Sequence, residues 1–174
     1  GLASGRLPGL ARLLSPPVNG LRAVPGICWL PLALVWFGVG YRTTVFLVAL
    51  AAFFPVYLNA AAGAAAVPPV QLRAGAMLGL GRLGLVRHVM LPASMGHVRS
   101  GLRIGLGLGF AYLVLGELTG AAHGLGAMVM DARLLGRVDL VLVGIVLIAL
   151  CGWLADQLLA ALLRAASRSC RRMP

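Results

Sequence analysis

Apolar residues gather in four long runs in this chain, separated by two short polar breaks and one long one. A helix needs roughly 20 apolar residues to cross a bilayer core about 30 Å thick. The run Ile27–Gly40 is short, so it is either kinked or extended back through Val24, and it contains Pro31. Thr43–Ala62 contains Pro55, Val98–Thr119 is punctuated by glycines, and Val138–Leu163 is the cleanest. Proline inside a spanning helix is tolerated where neighbours satisfy the freed carbonyl. The pattern therefore predicts an all-α, polytopic chain forming a single membrane domain over 1–174, with spans near 24–40, 43–62, 98–119 and 138–163. The long break, about 63–97, is predicted to carry short helices lying along the membrane. One starts at Pro68-Pro69, since proline suits the first helical turn, and runs through Gln71–Leu78. Gly79, Gly81 and Gly84 interrupt it, and a second runs from Leu85 to Leu91 and is ended by Pro92. The segment before Val24 is mildly basic and broken by Pro8, Pro16 and Pro17. It reads as the interior of a protein, so the chain is expected to be N-terminally truncated.

Composition agrees with the runs. Of 174 residues, 60% are hydrophobic and 11% charged, and the mean hydropathy is +0.96. A soluble domain is nearer half apolar and a quarter charged. The net charge is +11, and all 15 basic residues are arginine. They are scattered among apolar runs rather than gathered on a basic domain, which argues against a nucleic-acid partner. Their distribution instead reports topology, because cytoplasmic loops carry an excess of basic residues. With the tail Arg164, Arg168, Arg171 and Arg172 inside, only Arg42, Arg133 and Arg137 fall outside. A multi-pass membrane protein with a cytoplasmic C-terminus follows. Cys28, Cys151 and Cys170 are isolated; the first two are expected to be small buried hydrophobes, and no metal site or disulfide framework is expected.

Few residues invite chemistry. His88, Ser94 and His97 share the polar loop, and Ser4 lies between small residues, but no orienting carboxylate accompanies them and nothing assembles a nucleophile, base and oxyanion hole. No GxxxxGK[ST] loop occurs and no lysine could complete one, so the chain cannot use ATP itself. Gly101, Gly105 and Gly109 recur every four residues, the small-xxx-small face of close helix packing. That face could border a dimer pathway or could pack inside one subunit. Glu117, near the outer end of the third run, and Asn59, in the second, are candidates for lining a pathway. Their plainer readings are a carboxylate reaching water and an amide bonded to neighbouring backbone. Asp131 and Asp139 could offset Arg133 and Arg137, but a solvated loop is the plainer expectation for them.

The segment Gln71–Ser94 carries a further signal. Arg73-Ala74-Gly75, then Gly79, then Val89-Met90-Leu91-Pro92 stand at the places of the E-A-A, glycine and I-x-L-P elements of a cytoplasmic motif in bacterial ABC importer permeases. The stretches LRAVPGICWLPLALVWFGVG, FLVALAAFFPVYLNAAAG and GELTGAAHGLGAMVMDA resemble the sulfonate, taurine and nitrate branch of that family. Two departures are visible: Arg73 replaces the glutamate and Gly75 the second alanine. The resemblance implies the type I ABC importer permease (MetI-like) fold, with Arg73, Ala74, Gly75, Gly79, Val89, Leu91 and Pro92 in an ATPase-coupling loop. It also implies a separate ABC ATPase subunit holding ATP and Mg²⁺, an extracytoplasmic solute-binding protein, a second copy of the chain, and no cofactor on the chain itself. A small anion such as an aliphatic sulfonate, taurine or nitrate would be the cargo. The competing readings are a secondary transporter or channel subunit, a membrane enzyme, and a non-functional permease fragment.

Overall fold

The computed structural model describes residues 1–6, 8–119 and 123–170, with the side chains of all of these except Ala3, Pro8, Arg82 and residues 166–170. The expectations for Arg168, Cys170, Arg171 and Arg172 thus concern side chains outside the described residues. Helices account for the elements present: α1 (Leu2–Arg6), α2 (Pro8–Ala23), α3 (Trp29–Phe37), α4 (Tyr41–Ala65), α5 (Pro69–Met77), α6 (Arg82–Leu85), α7 (Leu91–Leu118), α8 (Leu125–Leu134) and α9 (Val138–Cys170). Three continuous helical stretches, Tyr41–Ala65, Leu83–Leu118 and Val138–Ala165, are long and apolar enough to cross a membrane. A fourth crossing would be a broken one, the pair Gly9–Ala23 and Gly26–Phe37, bent by 80°. The break falls at Val24-Pro25, where the proline lacks an N–H and disfavours helix at the residue before it. A 3₁₀ turn, Gly26–Cys28, then leads into α3. The first run is therefore not one helix from Val24 to Gly40, and the proline-bearing segment ahead of it is itself helical.

The antiparallel pair α4 and α7 forms the centre. Gly63 faces Ser94 and His97, Gly101 faces Asn59, Pro55 and Val56, Gly105 faces Ala52 and Val56, Gly109 faces Val48, and Gly116 faces Thr44. A stripe of hydrogens in place of side chains lets the two backbones approach, which matters most where lipid supplies no hydrophobic drive between helices. The glycine stripe therefore packs within one chain. Phe110 of α7 meets Gly152 of α9, while Val129 and Met128 of α8 meet Gly144 of α9. Residues 125–134, read from sequence only as a connection, form α8.

Pro92 opens a helix rather than ending one. It stands in the first turn of α7, and the turn before it, Val86–Met90, is a π-helix in which the Leu91 N–H bonds the Val86 carbonyl. Proline cannot donate to the carbonyl four residues back and its ring collides with it. Widening the turn relieves both, so α6, the π-turn and α7 run on as one bent rod. Arg99 and Arg103, assigned by sequence to the inner group, lie within this rod. Arg103 pairs with Asp156 of α9 through Nε at 2.9 Å and through NH2. The pair puts the two helices in register at one depth. At about 1.5 Å per residue, the 33 residues of α9 reach roughly 50 Å, well beyond a bilayer core. One other expectation fails. Cys28 and Cys151 are exposed, not buried, because they sit on outward faces of apolar helices. Of the two aspartates near α8, Asp139 pairs with Arg137 at 3.1 Å, whereas Arg133 contacts the Met130 sulfur at 3.8 Å.

Candidate functional site

The segment between α4 and α7 is built as a rigid knuckle. α5 starts with Pro69 in its first turn and ends in a left-handed turn at Gly79, φ +79°. There the Leu80 N–H reaches the Gly75 carbonyl at 3.2 Å and the Gly79 N–H the Ala76 carbonyl at 3.0 Å. This paired closure satisfies carbonyls that a helix end leaves free, and a glycine at the left-handed position is what permits it. The Leu80 side chain then folds back on Gly75.

Gly75 is buried, and a Cβ there would lie 2.7 Å from Leu85 and 3.1 Å from Val89. Its lack of a side chain therefore serves packing of α5 on the π-turn. Arg73, Ala74 and Pro92 point outward, and Val89 and Leu91 are half-buried. Leu72 packs on a buried cluster of Ala64, Val67 and Met90, which belong to α4, the following turn and the residue before α7. Through Leu72, α5 touches the ends of both central helices.

What sequence reasoning missed is the outer surface of this knuckle. Met77 is 86% exposed, and Leu78 and Leu83 each 82%, with Val70 also exposed. Large exposed apolar side chains of this kind mark a surface that meets protein or membrane. The available signal was the apolar cluster Met77-Leu78 inside the most charged loop of the chain.

The other candidates separate. The Asn59 amide donates to the Pro55 carbonyl at 2.9 Å and lines a cavity between α4 and α7. The Glu117 carboxylate accepts from the Gly126 N–H at 2.8 Å, so it caps the start of α8. An acceptor with negative charge at that end offsets both the free N–H groups and the helix dipole. Ser94 is buried with its hydroxyl on the Leu91 carbonyl at 3.2 Å, and the His88 ring bonds the Gly84 carbonyl at 3.1 Å. These residues are therefore bound to local backbone and do not form a relay. Among the described residues no group of acidic, histidine or cysteine side chains could hold a metal.

Comparison with known proteins agrees with this geometry. A family of binding-protein-dependent transport system inner membrane components matches residues 1–168. The chain is 40% identical over 164 residues to the taurine transport system permease protein of Escherichia coli, covering 94% of this chain and 60% of the relative. It is 31% identical over 162 residues to the nitrate import permease protein of Leptolyngbya laminosa, covering 91% and 58%. It is also 30% identical over 141 residues to the riboflavin transport system permease protein of Chloroflexus aurantiacus, covering 81% and 53%. The chain thus spans little more than half the length of these relatives. A family match across almost every residue, carried by an all-helical chain with three to four apolar crossings, shows that this chain belongs to the binding-protein-dependent transport system inner membrane components.

Proposed function

We propose that this chain is a membrane-embedded permease part of an ATP-driven importer, with Pro69–Leu91 as the cytoplasmic seat for a separate ATPase subunit. The observation that carries this reading is the exposed apolar surface of Met77, Leu78 and Leu83 on a segment locked into α4 and α7. An ATPase that closes on ATP needs a rigid body to push. Here Leu72 ties the body to the ends of two spans, an arrangement that would suit rigid-body switching of access from one side to the other.

The arginine bias supports a cytoplasmic position for this segment and the C-terminus. The apolar outer faces of α4 and α9 would then meet lipid and a second copy, which encloses the pathway. ATP and Mg²⁺ would be held by the ATPase, and a solute-binding protein would deliver cargo to the opposite face. The relatives named for taurine and nitrate support a small oxyanion as cargo.

Gly79→Pro tests the reading. Proline fixes φ near −65° and removes the N–H, so it breaks the turn at φ +79° and its bond to Ala76. The variant should insert in the membrane normally and retain less than a tenth of the ATPase subunit in co-purification. Undiminished association of Gly79→Pro would overturn the assignment.

A further inference from the structure

One cavity in the chain is unlike the others. It lies where the broken helix α2–α3 meets the middles of α4 and α7, and has a volume of about 360 Å³. Its walls are mostly apolar, but Arg22, Trp29, Asn59 and Tyr112 all line it and none of its lining residues is acidic. The groove between α7 and α9 contains the Asp156 carboxylate, and a third, between α4, α7 and α9, is lined by apolar residues alone. Among the cavities formed by the described residues, the first is the one that joins an arginine to further hydrogen-bond donors with no carboxylate in its wall; the one beside α1 and α2 has serine, asparagine and tyrosine but no cation.

The donors are specific. The Trp29 Nε1–H is buried and finds no acceptor among the described residues. The Asn59 amide uses one N–H on the Pro55 carbonyl at 2.9 Å, leaving its second. The Tyr112 hydroxyl lies against Gly26, in the 3₁₀ turn at the helix break, where a Cβ would overlap it. Arg22, in the last turn of α2, supplies a fork of N–H groups and a full positive charge. The C-terminal end of α2 opposes an anion, but with only about half a charge, so the guanidinium prevails. Position adds to chemistry. The cavity adjoins the break between α2 and α3 and the middles of α4 and α7, and secondary transporters likewise bind substrate beside discontinuous helices.

We propose that this cavity is a way-station for a monovalent oxyanion of the XO₃⁻ type, a sulfonate or nitrate head, held by Arg22, the Trp29 indole N–H, the free Asn59 N–H and the Tyr112 hydroxyl. The inference deepens the importer reading by assigning cargo chemistry to residues of this chain. Planar guanidinium groups bind such oxygens in pairs, and the volume falls within the range of small-ligand sites.

The test uses the full chain in lipid nanodiscs with Trp36→Phe and Trp153→Phe, so that Trp29 alone reports. Sodium methanesulfonate is titrated against sodium chloride at constant ionic strength. The expected result is a saturable change in Trp29 emission that chloride does not reproduce. Arg22→Gln and Asn59→Leu should each weaken it about tenfold or more, the scale of a lost hydrogen bond to a charged group. An equal response to chloride in the unsubstituted chain overturns the proposal, as does a response indifferent to Arg22→Gln. ATPase co-purification on the same samples separates the two readings. Association without methanesulfonate binding rejects the cavity and leaves the importer; binding without association does the reverse.

Discussion

Leucine in place of Gly101 is expected to destabilise the chain by about 3 kcal/mol or more, at or above the usual upper end for an overpacked core. A Cβ at Gly101 would stand 2.7 Å from the Asn59 Cβ, 3.1 Å from the Pro55 carbonyl oxygen and 3.3 Å from the Val56 Cα. Two of those three atoms are backbone, so no rotamer change relieves the clash and α4 must move away from α7. Separation would also open Gly105 and Gly109, which lean on Ala52, Val56 and Val48. In a bilayer, close packing of this sort is the main attraction between helices. Gly107 supplies the control, because nothing lies within 4 Å of a Cβ there. Gly107→Leu should leave stability unchanged or slightly raised, since glycine is a poor helix former. Detergent-unfolding midpoints of the two variants check the contrast, and equal midpoints would remove the glycine stripe from its role.

Aspartate at both Met77 and Leu78 is expected to abolish ATPase association while leaving the permease as stable as before. These side chains are 86% and 82% exposed, so the folded chain loses little by their removal. An aspartate near the C-terminal end of α5 opposes the helix dipole by roughly 0.3–1 kcal/mol. Anchors buried at an interface are each worth about 2 kcal/mol or more, so two of them amount to about a thousandfold in affinity. The interface term therefore outweighs the helix term severalfold. The readouts are retention of the ATPase subunit on the immobilised permease and the unfolding midpoint of the permease alone. A fall in both together would mean that α5 is part of the core and not a docking surface.

The apolar runs made the crossings legible, because length and hydropathy act along the chain and need no knowledge of neighbours. Tyr41–Ala65 and Val138–Cys170 sit where the second and fourth runs led one to look. What depended on neighbours was hidden. Cys28 and Cys151 are exposed because an apolar position in a membrane helix can face lipid as readily as protein. Arg103 and Asp156 are 53 residues apart, and no local pattern couples them. Pro92 carries a helix-ending signal in sequence, yet a π-turn lets the chain absorb it. Pro25 broke an apolar run that hydropathy alone would join. In the segment between α4 and α7 the spacing of Gly79 and Leu91-Pro92 did not tell which side of α5 is buried: Gly75 packs inward, and Met77 and Leu78 face out.

The claim that a partner pushes on this knuckle is tested most directly by one thiol. With Cys28, Cys151 and Cys170 changed to serine, Leu78→Cys gives a single reactive site on the exposed face of the turn. The account predicts that membrane-impermeant maleimide labels it only after cells are opened, and that a short bifunctional reagent joins it to the ATPase subunit with a yield that changes on adding ATP. Labelling of intact cells from outside, or a thiol that never reaches the ATPase in any nucleotide state, would contradict it.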